Sequence, residues 1–421
     1  MQLSLGKKFS LLRVRTIYKN KNGAALIIGL MFVAILALVG TTAVVLTSTD
    51  LQIGGNYKSS TQAFYTADAG LEVARDQLRK NIEASITIDD MLAARVGDDG
   101  DLSNSTSTDI FTNFYANETF LTDDVPLIAQ TSFGDGTYRV YLTNDSTDPD
   151  VITSTTDTNN QVTLTSFGHG PANSLTILQE VVKRLEVPPM PGAVVLPGPD
   201  VSFNGANSNA SGVAGDTESA ISTTSAAAEN TVEGNLTSIG RIGNYTCEAG
   251  AGAPCINNDA AEIDPRLTSV NDIENLAETF RSAADTDLPG PGPYTLTADQ
   301  VGTTSNRKIV FVDGDATLGP VNGAGILVVT GTLTLHGNFN YNGFIMCIGD
   351  GDLYRSGGGN GIINGAIFVA KTRDDSGVFL SDLGEPTFDT SGGGNSDIRY
   401  DATQLNEAGG TKFLRKSWQE I

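Results

Sequence analysis

Histidine, cysteine and basic side chains are scarce in this 421-residue chain, and each scarcity closes off a class of function. There are two histidines, His169 and His336, and three cysteines. That is too few, and too scattered, for a zinc site built from clustered Cys and His. No Ser/His/Asp set, paired-carboxylate arrangement or cofactor motif is identifiable from the spacing, so the chain is read as a non-enzyme with no cofactor or metal. Lys and Arg number 26 against 49 Asp and Glu, a formal net charge of −23. Phosphate backbones need a basic face, so nucleic acid is excluded as a partner. Long apolar runs are also lacking, with one exception near the amino terminus.

The charge is unevenly placed. Residues 1–49 hold Lys7, Lys8, Arg13, Arg15, Lys19 and Lys21 and no acidic residue, which leaves 20 basic against 49 acidic side chains beyond them. The stretch from Gly23 to Leu46 carries no charge. As a helix at about 1.5 Å per residue it is long enough to cross a bilayer. The basic tip places residues 1–22 in the cytoplasm and the acidic bulk outside, as a single-pass protein. A retained signal anchor and a removed signal peptide are the plain alternatives.

The helical pattern continues past Leu46. Ala63, Ala67, Leu71, Ala74 and Leu78 recur at three- and four-residue spacing, an amphipathic stripe, with Gly54-Gly55 as an expected kink or melted turn. Residues 84–128 are ambiguous, with an aromatic-bearing FTNFYANETF. Residues 129–187 alternate apolar and polar side chains between turn signals, which predicts an antiparallel meander. VPPMPG (187–192) is a stiff break and the expected domain boundary. Residues 214–262 are low in apolar content and read as irregular, and DPRLTSVNDIENLAETFRSAADT reads as one helix. Beyond it, IVFV, GILVV, TLTL, GFIMCI, GIING and AIFVA are short apolar pieces punctuated by Gly and Asn. That texture predicts a few coils of a right-handed β-solenoid, with a β-sandwich as the alternative.

The segment GAALIIGLMFVAILALVGTTAVVLTSTDLQIGGNYKSSTQAFYTADAGLEVARDQL resembles the PilX N-terminal family of type IV pilus assembly proteins. The carrying features are a basic leader ending in Gly, an Ala-Ala-Leu start, a Ser/Thr-rich membrane exit and Gln-Ala-Phe…Ala-Asp-Ala-Gly-Leu-Glu, over roughly residues 19–80. The resemblance implies cleavage by a prepilin peptidase between Gly23 and Ala24. It implies an assembly helix carrying Ala24, Leu26, Ile27, Ile28, Leu30 and Phe32, and a residence in the inner membrane followed by a surface pilus or periplasmic pseudopilus. Other minor and major pilins are then the partners. One departure matters. The fifth residue after the expected cut is Ile28, where major pilins carry a glutamate that pairs with a neighbour's amino terminus. Tip pseudopilins of type II secretion systems look similar in lacking it. The resemblance therefore points to a minor subunit that initiates or caps a filament, and an exposed tip leaves room for a surface ligand.

The expected organisation is α+β and mostly β: a prepilin leader over 1–23, a pilin helix over 24–80 (transmembrane 24–46), a small antiparallel pilin-like head over 84–187, and a Gly/Asn-rich right-handed β-solenoid-like domain over 193–421 with an irregular insertion and one helix. Cys247 and Cys255 flank a short Gly-rich loop and are read as a disulfide in an exported protein, with free thiols as the alternative. Cys347 reads as a buried strand residue. The acidic turns Asp98-Asp99-Gly100-Asp101, Asp313-Gly314-Asp315 and Asp350-Gly351-Asp352 complete no calcium loop and read as solvated turns. Two rival functions are carried: a membrane-anchored adhesin or glycan-binding protein outside any filament, with Tyr341 and Tyr354 as aromatic candidates, and a polysaccharide-active enzyme, weakened by the scarcity of basic residues in the solenoid region.

Overall fold

The computed structural model describes residues 21–94, 125–145, 156–247, 255–392 and 394–421. The apolar run and the amphipathic stripe form one α-helix, α1 (Lys21–Glu83), 63 residues and roughly 94 Å long. The melted turn offered at Gly54-Gly55 does not occur: helical backbone runs through both glycines. Each glycine costs a helix interior about 1 kcal/mol. A short helix, α2 (Ile88–Ala93), follows under a capping box in which Thr87 Oγ1 accepts from Asp90 N and the Asp90 carboxylate accepts from Thr87 N. Residues 1–20 of the leader and the segment FTNFYANETF lie outside the described residues.

The predicted meander is present. Strands β1 (Ile128–Phe133), β2 (Gly136–Asn144), β3 (Gln161–His169) and β4 (Leu175–Arg184) pair antiparallel in chain order. Their inward residues, among them Tyr138, Val140, Leu164, Leu178 and Val182, pack on Ala67, Leu71, Ala74 and Leu78 of α1. The alanines serve a purpose. A Cβ added to Gly168 would fall 2.4 Å from Ala63 O and from Ala67 N. Helix and sheet meet backbone to backbone there, so only small side chains fit.

Beyond VPPMPG the chain builds a body of two parallel sheets. It lays down β5 (Gly192–Leu196), β6 (Ser202–Asn204), β7 (Gly212–Ala214) and β8 (Ser219–Thr223), then helix α3 (Ala226–Ser238), β9 (Tyr245–Thr246) and β10 (Ile256–Asn258). Residues 214–262, expected to be irregular, thus hold a helix and three strands. The signal was a narrow stripe, Ala228, Val232 and Leu236, behind a Ser225 cap. Helix α4 (Val270–Ser282) is the one predicted, with Ile273, Leu276 and Phe280 buried. After it come β11 (Thr286–Leu288), β12 (Tyr294–Thr295), the short α5 (Ala298–Val301), β13 (Lys308–Val312), β14 (Ala316–Leu318), β15 (Asn322–Val329), β16 (Thr332–His336), β17 (Phe339–Cys347), β18 (Asp352–Ser356), β19 (Asn360–Val369), β20 (Thr387–Asp389) and β21 (Asn395–Tyr400). Odd-numbered strands β11 to β19 stack in one sheet, and even-numbered β12 to β20 in the other.

The stacking order differs from the chain order. β5 pairs with β19, and β6 with β20, so the first strands of the body sit beyond the late ones. Strands β15, β17 and β19 are buried on both faces. Leu327, Ile345 and Ile367 face the second sheet, while Ile326, Phe344 and Phe368 lie under α4 and under α6 (Ala402–Ala408). Burial on both faces explains why these strands are continuous apolar runs and do not alternate. The recurrent glycine has a cause as well. Gly325, Gly343 and Gly365 stand in register in adjacent strands, all at φ between +128° and +139°. A Cβ on Gly343 would lie 2.2 Å from Gly325 O. Beside this column Asn364 Nδ2 donates to Asn342 Oδ1 at 3.0 Å.

The last strand, β22 (Phe413–Glu420), leaves the body and pairs antiparallel with β4 as the fifth strand of the first sheet. The chain therefore ends in the same sheet that packs on α1, and not in the parallel body with the rest of 193–421.

Candidate assembly surface of the amino-terminal helix

Two halves of α1 have opposite surroundings. From Ala25 to Lys58 every side chain is exposed, including Leu26 (73%), Ile27, Ile28 (57%), Leu30 and Phe32. From Ala63 to Leu78 one stripe is fully buried. The exposed half is uncharged from Gly23 to Leu46, and among the described residues α1 alone is long and apolar enough to cross a membrane. Its threonine hydroxyls are internally satisfied. Thr41, Thr42, Thr47 and Thr49 each donate to a carbonyl three or four residues back, at 2.8 to 3.0 Å. Such back-bonding lets a polar side chain sit in an apolar setting without an unpaired donor. The Gly23–Ala24 peptide lies in the first turn of α1.

The buried half of α1 is tied to the end of the chain by charge. Glu180 on β4 is fully buried. Its carboxylate lies 3.5 Å from Arg75 Nε of α1 and 3.1 Å from Arg415 Nε of β22. Burial pushes the Glu180 carboxyl above its ordinary value, and the two arginines oppose that shift. The signal that could have marked Glu180 in SLTILQEVVKRLEV is a carboxylate placed between the inward-facing Leu178 and Val182.

The other expected residues are dispersed. Cys247 and Cys255 have Cα atoms 5.3 Å apart, inside the roughly 4.4–6.8 Å that a disulfide spans. Cys347 is buried in β17. Tyr341 is fully buried, which removes it as a surface aromatic, whereas Tyr354 is 37% exposed on β18. Asp313 and Asp315 hold turns together: the Asp313 carboxylate accepts from Thr330 Oγ1 and Asp315 from Thr332 N. Asp98, Asp99 and Asp101 lie outside the described residues. Among the described residues no group of three or more His, Cys, Asp and Glu is arranged to hold a metal ion.

The comparisons with known proteins bear on α1. No curated protein matches the chain. Among solved structures it resembles the crystal structure of the competence-associated pilin ComZ from Thermus thermophilus, at 12% identity over 86% of this chain and 98% of that one, with a TM-score of 0.21. The PilX N-terminal family matches residues 22–72. That span covers the exposed apolar half of α1 and the first turns of its packed half. The likeness to the PilX N-terminal family is thus confined to residues 22–72, the amino-terminal helix of the chain.

Proposed function

We propose that this protein is a non-enzymatic minor pilin-like subunit that helps initiate or cap a type IV pilus or related filament at its tip. The observation that carries the reading is the PilX N-terminal match lying on a helix whose first half has no intramolecular partner among the described residues. On this reading prepilin peptidase cuts between Gly23 and Ala24. The mature helix waits in the inner membrane, with the leader in the cytoplasm and the head outside. Assembly then moves Ala24 to Leu46, including Leu26, Ile27, Ile28, Leu30 and Phe32, from lipid into a bundle of like helices from other minor and major pilins. Helix packing replaces lipid contact in that step.

Ile28 supports the tip position. A subunit with no neighbour above it has no amino terminus to neutralise, and an unpaired carboxylate buried there would cost several kcal/mol. On this reading the body of two parallel sheets is a right-handed β-solenoid that projects from a filament end, where bulk does not clash with a helical repeat. The surface it presents there would meet a ligand outside the cell. Immunogold labelling of sheared filaments tests this placement: label confined to filament ends is expected, and filaments of normal number and length without any label, in strains with and without the gene, would contradict it.

A further inference from the structure

We infer that the outer face of the six-stranded sheet of the body is a binding surface for a linear, uncharged polysaccharide. This sheet runs β12-β14-β16-β18-β20-β6, with every neighbouring pair parallel. Parallel sheets are ordinarily covered on both faces. The sheet holding β15, β17 and β19 follows that rule, with Ile326, Phe344 and Phe368 fully buried on its outer side. The six-stranded sheet departs from it. Its inward residues Ala316, Leu333, Leu353, Phe388 and Phe203 are buried, whereas every strand residue pointing the other way is polar and reaches solvent.

These outward residues form rows across the strands. One row, in register, is Thr295, Thr317, Thr334, Tyr354, Asp389 and Asn204. Beside it run Thr332, Asp352, Thr387 and Ser202. At about 4.8 Å between strands, the longer row extends about 24 Å. The face is thus a strip of hydroxyl, carboxylate and amide groups, repeated at a spacing close to the length of one sugar residue in an extended chain.

The chemistry of the strip narrows the ligand. The hydroxyls of Thr295, Thr317, Thr332 and Thr334 make no hydrogen bond among the described residues, so both their donors and their acceptors are open. Asp352 and Asp389 stand in the rows, and Asp315 adjoins them through a 2.8 Å bond from Thr332 N. Neither row holds a Lys or Arg, and the ion pairs of the body use other carboxylates. An anionic polymer would be repelled, whether nucleic acid or acidic glycan. Protein interfaces have apolar, aromatic-rich centres depleted of Asp and Ser, and this strip has a single aromatic. That one is Tyr354, 37% exposed near the middle of the longer row, where its ring offers a flat seat for the apolar side of a sugar. The flanking carboxylates accept from sugar hydroxyls in charge-assisted bonds. Each strand adds a further contact to the same chain, so weak single contacts sum to useful binding. This names the ligand of the proposed function, and it rests on that reading only in placing the body outside the cell.

The test uses the full chain in a polyoxyethylene detergent, which carries no sugar. Isothermal titration measures binding of oligosaccharides from cellulose, chitin, xylan, mannan and starch, with oligogalacturonate as the acidic control. The expected result is saturable binding of at least one uncharged series and none of oligogalacturonate. Affinity should rise with chain length up to about five sugar residues, the span of the strip. Tyr354→Ala and Thr334→Arg, both at surface positions, should each weaken binding about tenfold or more, and Tyr354→Phe should retain it. Lys58→Glu, on the exposed half of α1, should leave it unchanged. No saturable binding of any uncharged series, binding indifferent to both Tyr354→Ala and Thr334→Arg, or a preference for oligogalacturonate would overturn the assignment. Because the protein is tested in isolation, this result and the immunogold placement at filament ends can fail separately.

Discussion

The Glu180 carboxylate lies between Arg75 of the amino-terminal helix and Arg415 of the last strand, 3.5 and 3.1 Å from their Nε atoms. This buried charge joins residues near the start and the end of the chain. The carboxylate is fully buried, whereas both arginines reach solvent. The triad should therefore respond asymmetrically. Removing both cations as Arg75→Met/Arg415→Met leaves a buried unpaired charge and should cost about 3–5 kcal/mol at neutral pH. Glu180→Gln leaves two arginines that water can solvate and should cost less, about 1 kcal/mol. Urea unfolding of the three proteins measures both. Equal losses would contradict this account.

The same group sets a pH dependence. Burial raises the folded-state value of Glu180 above its unfolded one. A raised acid binds its proton more tightly when folded, so its contribution to stability grows as pH falls through the folded value and levels off below the unfolded value. The double arginine variant should therefore recover stability on mild acidification relative to the wild type, and Glu180→Gln should not. Unfolding midpoints from pH 7 down to pH 4 read this directly. A parallel pH profile for all three proteins would exclude it.

Two glycines should behave oppositely. Gly343→Ala places a Cβ 2.2 Å from Gly325 O at φ +134° and should cost more than about 3 kcal/mol, because both backbone strain and a clash arise. Gly54→Ala adds a methyl where nothing lies within 4 Å, inside a helix, and should be neutral or stabilising by up to about 1 kcal/mol. Thermal denaturation of the two variants gives the comparison. A tolerated Gly343→Ala would mean that the stacked column is not as described.

Tyr341 offers a test of the core. Its ring is fully buried and its hydroxyl has no hydrogen-bond partner among the described residues. Tyr341→Phe removes an unsatisfied polar group at almost no change of shape, and should raise stability by about 1 kcal/mol. Tyr341→Ala should cost about 3–5 kcal/mol through the cavity left behind. A destabilising Tyr341→Phe would reveal a partner for the hydroxyl.

The readable parts of this fold are those with local periodicity. The stripe from Ala63 to Leu78, the alternation in β2 and β3, and the Ile273–Leu276–Phe280 face of α4 are all intervals between neighbours in sequence. The order in which strands stack is not. IVFV and AIFVA look alike, and nothing local says that Val194 and Val195 of β5 will lie beside Ile367 and Phe368 of β19. FLRKSWQE carries too little apolar alternation to announce that it closes the first sheet, and its partner is more than two hundred residues away. Tyr341 and Tyr354 have the same chemistry in similar strands, and only the register, inward for one and outward for the other, separates core from surface. The expected cut at Gly23–Ala24 rests on residues that belong to another enzyme's recognition, so no feature of this chain's own packing announces it.

The central claim is that this chain is a prepilin processed at the start of α1. The direct measurement is intact mass with amino-terminal sequencing of the protein from native membranes, in strains with and without prepilin peptidase. The account predicts a mature chain beginning at Ala24, and accumulation of the uncut precursor when the peptidase is absent. A chain that retains residues 1–23 in both strains would contradict it and leave a membrane-anchored extracellular protein outside any filament.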